Sequence, residues 1–380
     1  MDFAIRIHRQ DTLTVTVSDL SSGEMALLRE ACASPQAPGG PGFGFPRPAA
    51  LFITGTPAQI RQFCAFLRSD DRLPMYLPAQ IESRLDNYRR SHYPLALKGQ
   101  VLDLGARTHI MGVLNVTPDS FSDGGLFAGR DAAVEHAREM ASQGADIIDV
   151  GGESTRPGAE PLSEDEELGR ILPVIERIAK ELTVPISVDT YKARVARKAL
   201  AAGASIVNDI SGLRFSSDMA RIVADHDAAV VLMHIKGTPR DMQVNPVYDD
   251  VVGEIMDYLE ESAAIALKAG VGRDRILIDP GIGFGKTVQH NLEIIGRLDE
   301  FRSLGFPVVL GTSRKRFIGT VLNIAEPKDR VEGTAATVAL AIQRGAHVVR
   351  VHDVGSMAKV ARMTDAIVKT STKKQAPNIK

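Results

Sequence analysis

The chain has 380 residues, 44% hydrophobic and 24% charged, with a formal net charge of −2. These proportions are ordinary for a globular protein and exclude a general attraction to nucleic acid or to an anionic membrane, so any basic residues that matter act locally. No apolar run nears the roughly 20 residues of a bilayer span, and the two cysteines, Cys32 and Cys64, are too few for a disulfide framework or a cysteine zinc site.

The N-terminus, Met1-Asp2-Phe3-Ala4-Ile5-Arg6, lacks the basic-then-apolar order of a signal peptide, and a cytoplasmic setting is expected. Ala4 to His8 and Leu13 to Val17 alternate apolar and polar side chains, the period of half-buried strands. Leu51-Phe52-Ile53-Thr54 reads as a further strand and Pro57 to Leu67 as an amphipathic helix, while Pro35 to Pro48, dense in Gly and Pro, predicts a mobile loop. Residues 1–98 are therefore expected to form a small α+β domain. No catalytic constellation is visible in it, and its scattered Arg and Glu residues read as a solvated face.

The pattern changes at His109. Apolar runs at Ile110–Asn115, Ile147–Val150, Ile186–Asp189, Ile206–Asn208, Val230–Met233, Ile276–Asp279, Val308–Leu310 and Val348–Val351 read as eight strands. The stretches between them, such as Ala132–Gln143 and Ser163–Glu181, have helical spacing and often end at a glycine (Gly144, Gly203, Gly270, Gly345), as C-capping favours. Continuous apolar strands joined by helices imply a parallel sheet covered on its faces. Eight such units across about 260 residues fit a (β/α)8 TIM barrel, assigned to residues 99–380. A doubly wound sheet is the alternative, but no dinucleotide fingerprint follows the first strand.

Polar residues stand at the C-terminal end of almost every strand: Asn115, Asp149, Asp189, Asn208, His234, Asp279, Ser313 with Lys315, and Arg350 with His352. Any one of them would cap a helix as readily as serve a function. Repeated along eight strands, they mark the face on which barrel enzymes build their sites. The loop from Asn115 to Gly125 offers hard oxygen ligands of the kind that hold magnesium together with a substrate's phosphates. Gly151 to Gly158 forms a second loop in which Arg156 supplies a fork for a carboxylate or phosphate. Gly285-Lys286-Thr287 invites a phosphate-loop reading, but the leading glycine of that motif would fall on Pro280, and Lys286 occupies the third-glycine position of the dinucleotide motif. Both nucleotide readings are rejected. Gly311 to Arg316 is a short basic turn, and Arg350 and His352, two apart, point to one face, a cation pair that diphosphate would satisfy. His109, His136 and His226 lack such partners and read as structural.

Taken together, Leu114 to Gly125, Gly151 to Gly158, Ser187 to Thr190, Asn208 to Gly212, Asp279 to Lys286, Ser313-Arg314-Lys315 and Arg350 to Asp353 resemble, in order, the signatures of dihydropteroate synthases. The resemblance covers about residues 108 to 368 and is silent on the first hundred. It implies a transferase of folate biosynthesis that joins a pterin diphosphate to p-aminobenzoate, with Mg2+ as cofactor and a homodimeric assembly. It implies a pterin pocket of Asp189, Asn208, Met233, Asp279, Phe284, Gly311, Lys315 and Arg350. Thr155, Arg156, Pro157 and Ser313 would shape the p-aminobenzoate site, and Asn115, Arg156, Arg350 and His352 would hold the diphosphate, with Asn115 as metal ligand. Catalysis would fall to Asp189, Lys315, Arg350 and His352. The chemistry agrees: a pterin presents an amino-pyrimidine edge, from which a buried carboxylate such as Asp279 accepts two hydrogen bonds.

Two rivals are distinguishable. A pterin-dependent methyltransferase shares the barrel and the pocket but has no use for two long anion-binding loops or the Ser313-Arg314-Lys315 turn. A non-catalytic pterin-binding protein would not need those loops intact.

Overall fold

The computed structural model describes residues 5–9, 13–18, 20–34, 37–39, 41–47, 50–73, 75–116, 125–154 and 161–373. The chain divides into two compact units, Met1–Arg90 with Arg297–Gly305, and Ser91–Gly296 with Phe306–Lys380.

The first unit is a small α+β fold. Strands β1 (Ile5–Arg9), β2 (Leu13–Val17), β3 (Gly42–Arg47) and β4 (Ala50–Gly55) form an antiparallel sheet in the order β1-β2-β4-β3. Helices α1 (Ser22–Ala33), α2 (Pro57–Leu67) and α3 (Tyr76–Arg89) complete it, α1 and α2 each opening on a capping box, at Ser21 and Thr56. The alternation read from sequence has its counterpart in the core: Ile5, Ile7, Val15, Val17, Leu51 and Ile53 pack with Leu28, Ile60, Phe63, Leu77, Ile81 and Leu85. The loop expected from Pro35 to Pro48 is in part a strand, β3. It lies at the sheet edge, where Pro46 forfeits no central ladder bond. The segment Leu298–Leu304, a 3-10 turn, belongs to this unit, and the Tyr88 hydroxyl donates to Asp299 Oδ2 at 2.8 Å.

The second unit begins with a hairpin, β5 (Tyr93–Leu97) and β6 (Gln100–Leu104), so the boundary expected after residue 98 falls at its turn. Eight parallel strands follow: β7 (His109–Asn115), β8 (Ile147–Gly151), β9 (Ile186–Asp189), β10 (Ile206–Asp209), β11 (Ala229–Met233), β12 (Ile276–Asp279), β13 (Val309–Leu310) and β14 (Val348–Val351). Their order is β12-β11-β10-β9-β8-β7-β14-β13, and the Ile278–Val308 bridge brings the two ends together. This is a (β/α)8 barrel, with every strand within a residue or two of its sequence-derived position. The helices are α4 (Gly125–Gln143), α5 (Glu164–Glu181), α6 (Ala193–Ala202), α7 (Met219–Asp225), α8 (Val251–Lys268) and α9 (Val288–Gly296). Then come α10 (Arg316–Leu322), α11 (Val331–Gln343) and α12 (Val354–Lys373).

The hairpin plugs one end of the barrel. Tyr93, Leu95, Leu97 and Leu104 pack on Met111, Ile147, Ile206, Ala229, Val231, Leu277, Val309 and Val348, residues from the first half of their strands. Because strand side chains alternate, this contact fixes which face of each strand looks inward. Two residues further along, the same face carries Asp149, Asn208, Met233, Asp279, Gly311 and Arg350. An apolar floor therefore lies beneath a polar mouth.

Candidate active site

At that mouth Arg350 binds two carboxylates. Its Nε donates to Asp149 Oδ2 and its Nη2 to Asp189 Oδ2, each at 2.6 Å, and Asn208 Nδ2 donates to Asp149 Oδ2 at 3.1 Å. Asp149 is fully buried, and its Oδ1 has no hydrogen-bond partner among the described residues. Burial pushes the Asp189 carboxyl up, the Arg350 charge pulls it back, and neighbouring Asp149 raises it again. Burial alone would lower Arg350, yet Asp149 and Asp189 hold it above the ordinary arginine range. The anion that an Arg350–His352 pair requires is, for Arg350, supplied by the protein itself.

Asp279 closes the opposite side. Its Oδ1 accepts the Gly281 N–H at 2.7 Å, and no described residue donates to Oδ2. Gly281 has φ +70°, and a β-carbon there would meet His234 O at 2.0 Å, so only glycine permits this turn. Burial raises the Asp279 carboxyl, opposed chiefly by Lys315. Lys315 donates to Ile282 O and sits 4.9 Å above the Phe284 ring, and burial lowers its ammonium to about 8 against the pull of Asp279. Gly311 lies alongside, where an added β-carbon would stand 3.7 Å from Arg350 Cβ and 3.9 Å from Lys315 Nζ. Met233 belongs to an apolar cluster with Ile210, Ile235 and Met242, against which Phe284 and Tyr191 pack. Asp149, Asp189 and Asp279 thus stand around two basic side chains, Arg350 and Lys315.

Asn115 and His352 line a cleft of about 680 Å³, together with Arg314, Asp353 and His136. His352 is held by Ser313, whose Oγ lies 3.0 Å from His352 Nδ1 and accepts the His352 N–H at 3.1 Å. The Ser313 hydroxyl therefore faces the His352 side of the mouth. Arg314, with φ +58°, turns away to grip Asp353 with two bonds, at 3.0 and 2.5 Å. Thr155, Arg156 and Pro157 lie outside the described residues, as does most of the loop after Asn115. Among the described residues no three His, Cys, Asp or Glu side chains gather as a metal centre. The Asn115 amide oxygen is a hard ligand, and magnesium commonly takes one or two protein ligands with the rest from substrate phosphates and water, so the donor set fits such an ion.

The strand-end position of Asp149 is visible in the sequence but its role is not, because its partners stand 59 and 201 residues away. The buried Lys286–His234 contact, at 2.9 Å, has no local sequence signal either. Lys286 also donates to Phe284 O at 2.9 Å, tying down the loop that follows Asp279. Burial holds both Lys286 and His234 well below their ordinary ranges.

Comparison with known proteins agrees with this geometry. The family described as pterin binding enzyme matches residues 111–352. The dihydropteroate synthase of Bacillus subtilis is 53% identical over 271 residues, 71% of this chain and 92% of that protein. A solved dihydropteroate synthase from Clostridium difficile, in the presence of pteroic acid, is 51% identical with a TM-score of 0.67, covering 70% of this chain and 98% of that one. The Xanthomonas albilineans dihydropteroate synthase with 4-aminobenzoic acid is 43% identical with a TM-score of 0.67, covering 75% and 98%. Barrel, site and sequence together place this chain in the pterin binding enzyme family, among its dihydropteroate synthases.

Proposed function

We propose that the chain condenses 6-hydroxymethyl-7,8-dihydropterin diphosphate with p-aminobenzoate, giving 7,8-dihydropteroate and diphosphate, a step of folate biosynthesis. The observation that carries this reading is the inward-facing set at the barrel mouth: Asp149, Asp189, Asn208, Asp279, Lys315 and Arg350, with Asp279 Oδ2 open to a donor. The amino-pyrimidine edge of the pterin would lie against Asp279 and Asn208, with Met233 and Phe284 flanking the ring. Lys315 would donate to a ring oxygen or nitrogen.

In the reaction the arylamine nitrogen bonds to the pterin methylene carbon, the carbon–oxygen bond to diphosphate breaks, and the amine gives up a proton. Asn115 would hold the magnesium ion, which when bound neutralises charge on the departing diphosphate. His352 would contact that group from the same cleft. The carboxyl groups around the ring would favour positive charge developing on the pterin, as a preorganised field does for a transition state. Thr155, Arg156, Pro157 and Ser313 would shape the p-aminobenzoate end.

The same proposal includes a homodimer and a cytoplasmic setting. Leu340 on α11 and Met363 and Ile367 on α12 are 37%, 64% and 55% exposed, apolar surface that a second copy would cover. Cys32 and Cys64 are free thiols. No helix among the described residues is long and apolar enough to cross a membrane.

A turnover assay of the full chain with both substrates and magnesium tests the function. Product formation is expected. Tight pterin binding without turnover would instead mark a non-catalytic pterin-binding protein.

A further inference from the structure

The turn that carries Ser313 and Lys315 stands in a conformation its residues do not choose by themselves. Arg314, at its centre, has φ +58°, the left-handed region. That region costs free energy for a residue with a β-carbon and persists where neighbouring structure imposes it. The turn closes through the Lys315 N–H, donated to Thr312 O at 3.2 Å. Its two flanking side chains serve different parts of the mouth. Ser313 Oγ meets His352, and Lys315 reaches Ile282 O beside the Phe284 ring. Relaxation of Arg314 to an ordinary backbone angle would redirect both.

What imposes the turn comes from α11. Arg330, the residue before that helix, is buried, and its guanidinium donates to Arg314 O at 2.9 Å, to Ile324 O at 3.1 Å and to Ala325 O. Thr334, fully buried in the first turn of α11, accepts the Arg314 N–H at 3.1 Å and donates its hydroxyl to Arg330 O at 2.9 Å. Both backbone polar groups of Arg314 are therefore taken by two residues that are bonded to each other. Arg314 precedes α10 and Ile324 follows it, so the guanidinium also ties together the two ends of that helix. Gly319, in the middle of α10, makes room for it, since a β-carbon there would meet Arg330 Nε at 2.5 Å. Arginine keeps its charge, and carbonyl oxygens satisfy its hydrogens without neutralising it. Burying such a charge costs desolvation, and the best-attested use of buried ionic groups is to fix one arrangement among several.

We propose that Arg330, acting through the Arg314 carbonyl, is a positioning residue for pterin binding: it holds the strained turn from which Lys315 reaches the barrel mouth. This rests on the pterin reading of that mouth. Among the described residues Arg330 bonds to none of those assigned to the pterin, so its effect on the ligand passes through the turn.

Calorimetry with a pterin and thermal melts of the full-length chain test it, on Arg330→Met and on Arg330→Met/Arg314→Gly. Arg330→Met should weaken pterin binding at least tenfold. Glycine adopts a positive φ without strain, so the added Arg314→Gly should recover at least fivefold of that loss, although it also removes the Arg314–Asp353 pair. A residue that merely supports the fold would lower the melting temperature and leave the pterin Kd within twofold, and that result overturns the proposal. So does a double variant that binds no better than the single one. Should Arg330→Met fail to fold, Thr334→Val, which removes the acceptor of the Arg314 N–H, takes its place in both variants and is read by the same criteria. An unaltered chain that binds pterin, beside variants that bind it equally well, defeats this inference alone. An unaltered chain that binds no pterin defeats the functional reading and this inference with it.

Discussion

Arg350 Nε donates to Asp149 Oδ2 at 2.6 Å, joining β14 to β8 across the intervening strand β7. With the Asp189 contact it makes Arg350 a brace between three strands. Asp149→Ala leaves Arg350 paired with Asp189 but strips Arg350 Nε and Asn208 Nδ2 of their acceptor. A buried donor left unpaired costs about 1–3 kcal/mol, so Asp149→Ala should lower stability by an amount of that order and weaken pterin binding at least tenfold as Asn208 and Arg350 lose their orientation. Chemical denaturation with calorimetry checks both, and normal pterin affinity in a folded variant would remove Asp149 from the site.

Lys315 gives the pH dependence. Burial lowers its ammonium to about 8, so the cation proposed to contact the pterin is present below that pH and lost above it. Pterin affinity should fall as pH rises through about 8. Between there and the ordinary lysine value near 10.4 the unfolded chain binds more protons than the folded one at this group, so its contribution to stability rises while binding weakens. Opposite trends in melting temperature and affinity would exclude unfolding as the cause. Lys315→Arg, which stays charged, should abolish the alkaline limb in a titration of pterin Kd against pH.

Much of this was legible in the sequence, because the barrel's period is local. Apolar runs mark the strands, and alternation sends Asp279 and Arg350 to the face that Leu277 and Val348 turn inward. What escaped depends on distant partners. Nothing near Asp149 announces Arg350, and nothing near Tyr93 announces that its hairpin will plug a barrel. β3 was obscured by its Gly and Pro content, which an edge strand tolerates and a central one does not.

The hairpin sets where the barrel can be cut. A chain starting at Ser91 keeps β5 and β6 and should retain turnover, since the described site residues all come from the second unit. Its melting temperature should fall, because Leu298–Leu304 loses the α3 contacts, including the Tyr88–Asp299 bond. Starting at Leu97 also removes Tyr93 and Leu95 from the barrel floor. Each buried side chain of that kind is worth about 1.5–3 kcal/mol, so this shorter chain should be markedly less stable than the first. Thermal melts and turnover of both shortened chains decide the matter, and equal stability would mean the plug contributes little.

Magnesium and diphosphate should bind as a unit at Asn115. Asn115→Ala is expected to weaken binding of the pterin diphosphate in the presence of magnesium by tenfold or more while leaving free pterin within twofold. Titrating both ligands against the variant tests this, and equal losses would count against Asn115 as the metal ligand.

Asp279 is proposed to receive the amino-pyrimidine edge of a pterin. Its Oδ1 already caps the turn to Gly281, so a merely structural role is a real competitor. Asp279→Asn separates the two. The amide oxygen can keep the Gly281 bond, while the NH2 group faces ligand donors where an acceptor is needed. A hydrogen bond to a charged group is worth roughly 1.5–3 kcal/mol, a buried donor left unpaired costs about 1–3 kcal/mol more, and each 1.4 kcal/mol is a factor of ten, so replacing the Oδ2 acceptor by a donor should weaken pterin binding about a hundredfold or more. Calorimetry of the folded Asp279→Asn variant with a pterin is the decisive measurement. A hundredfold loss at an unchanged melting temperature is the result predicted, and near-normal affinity would contradict the pocket.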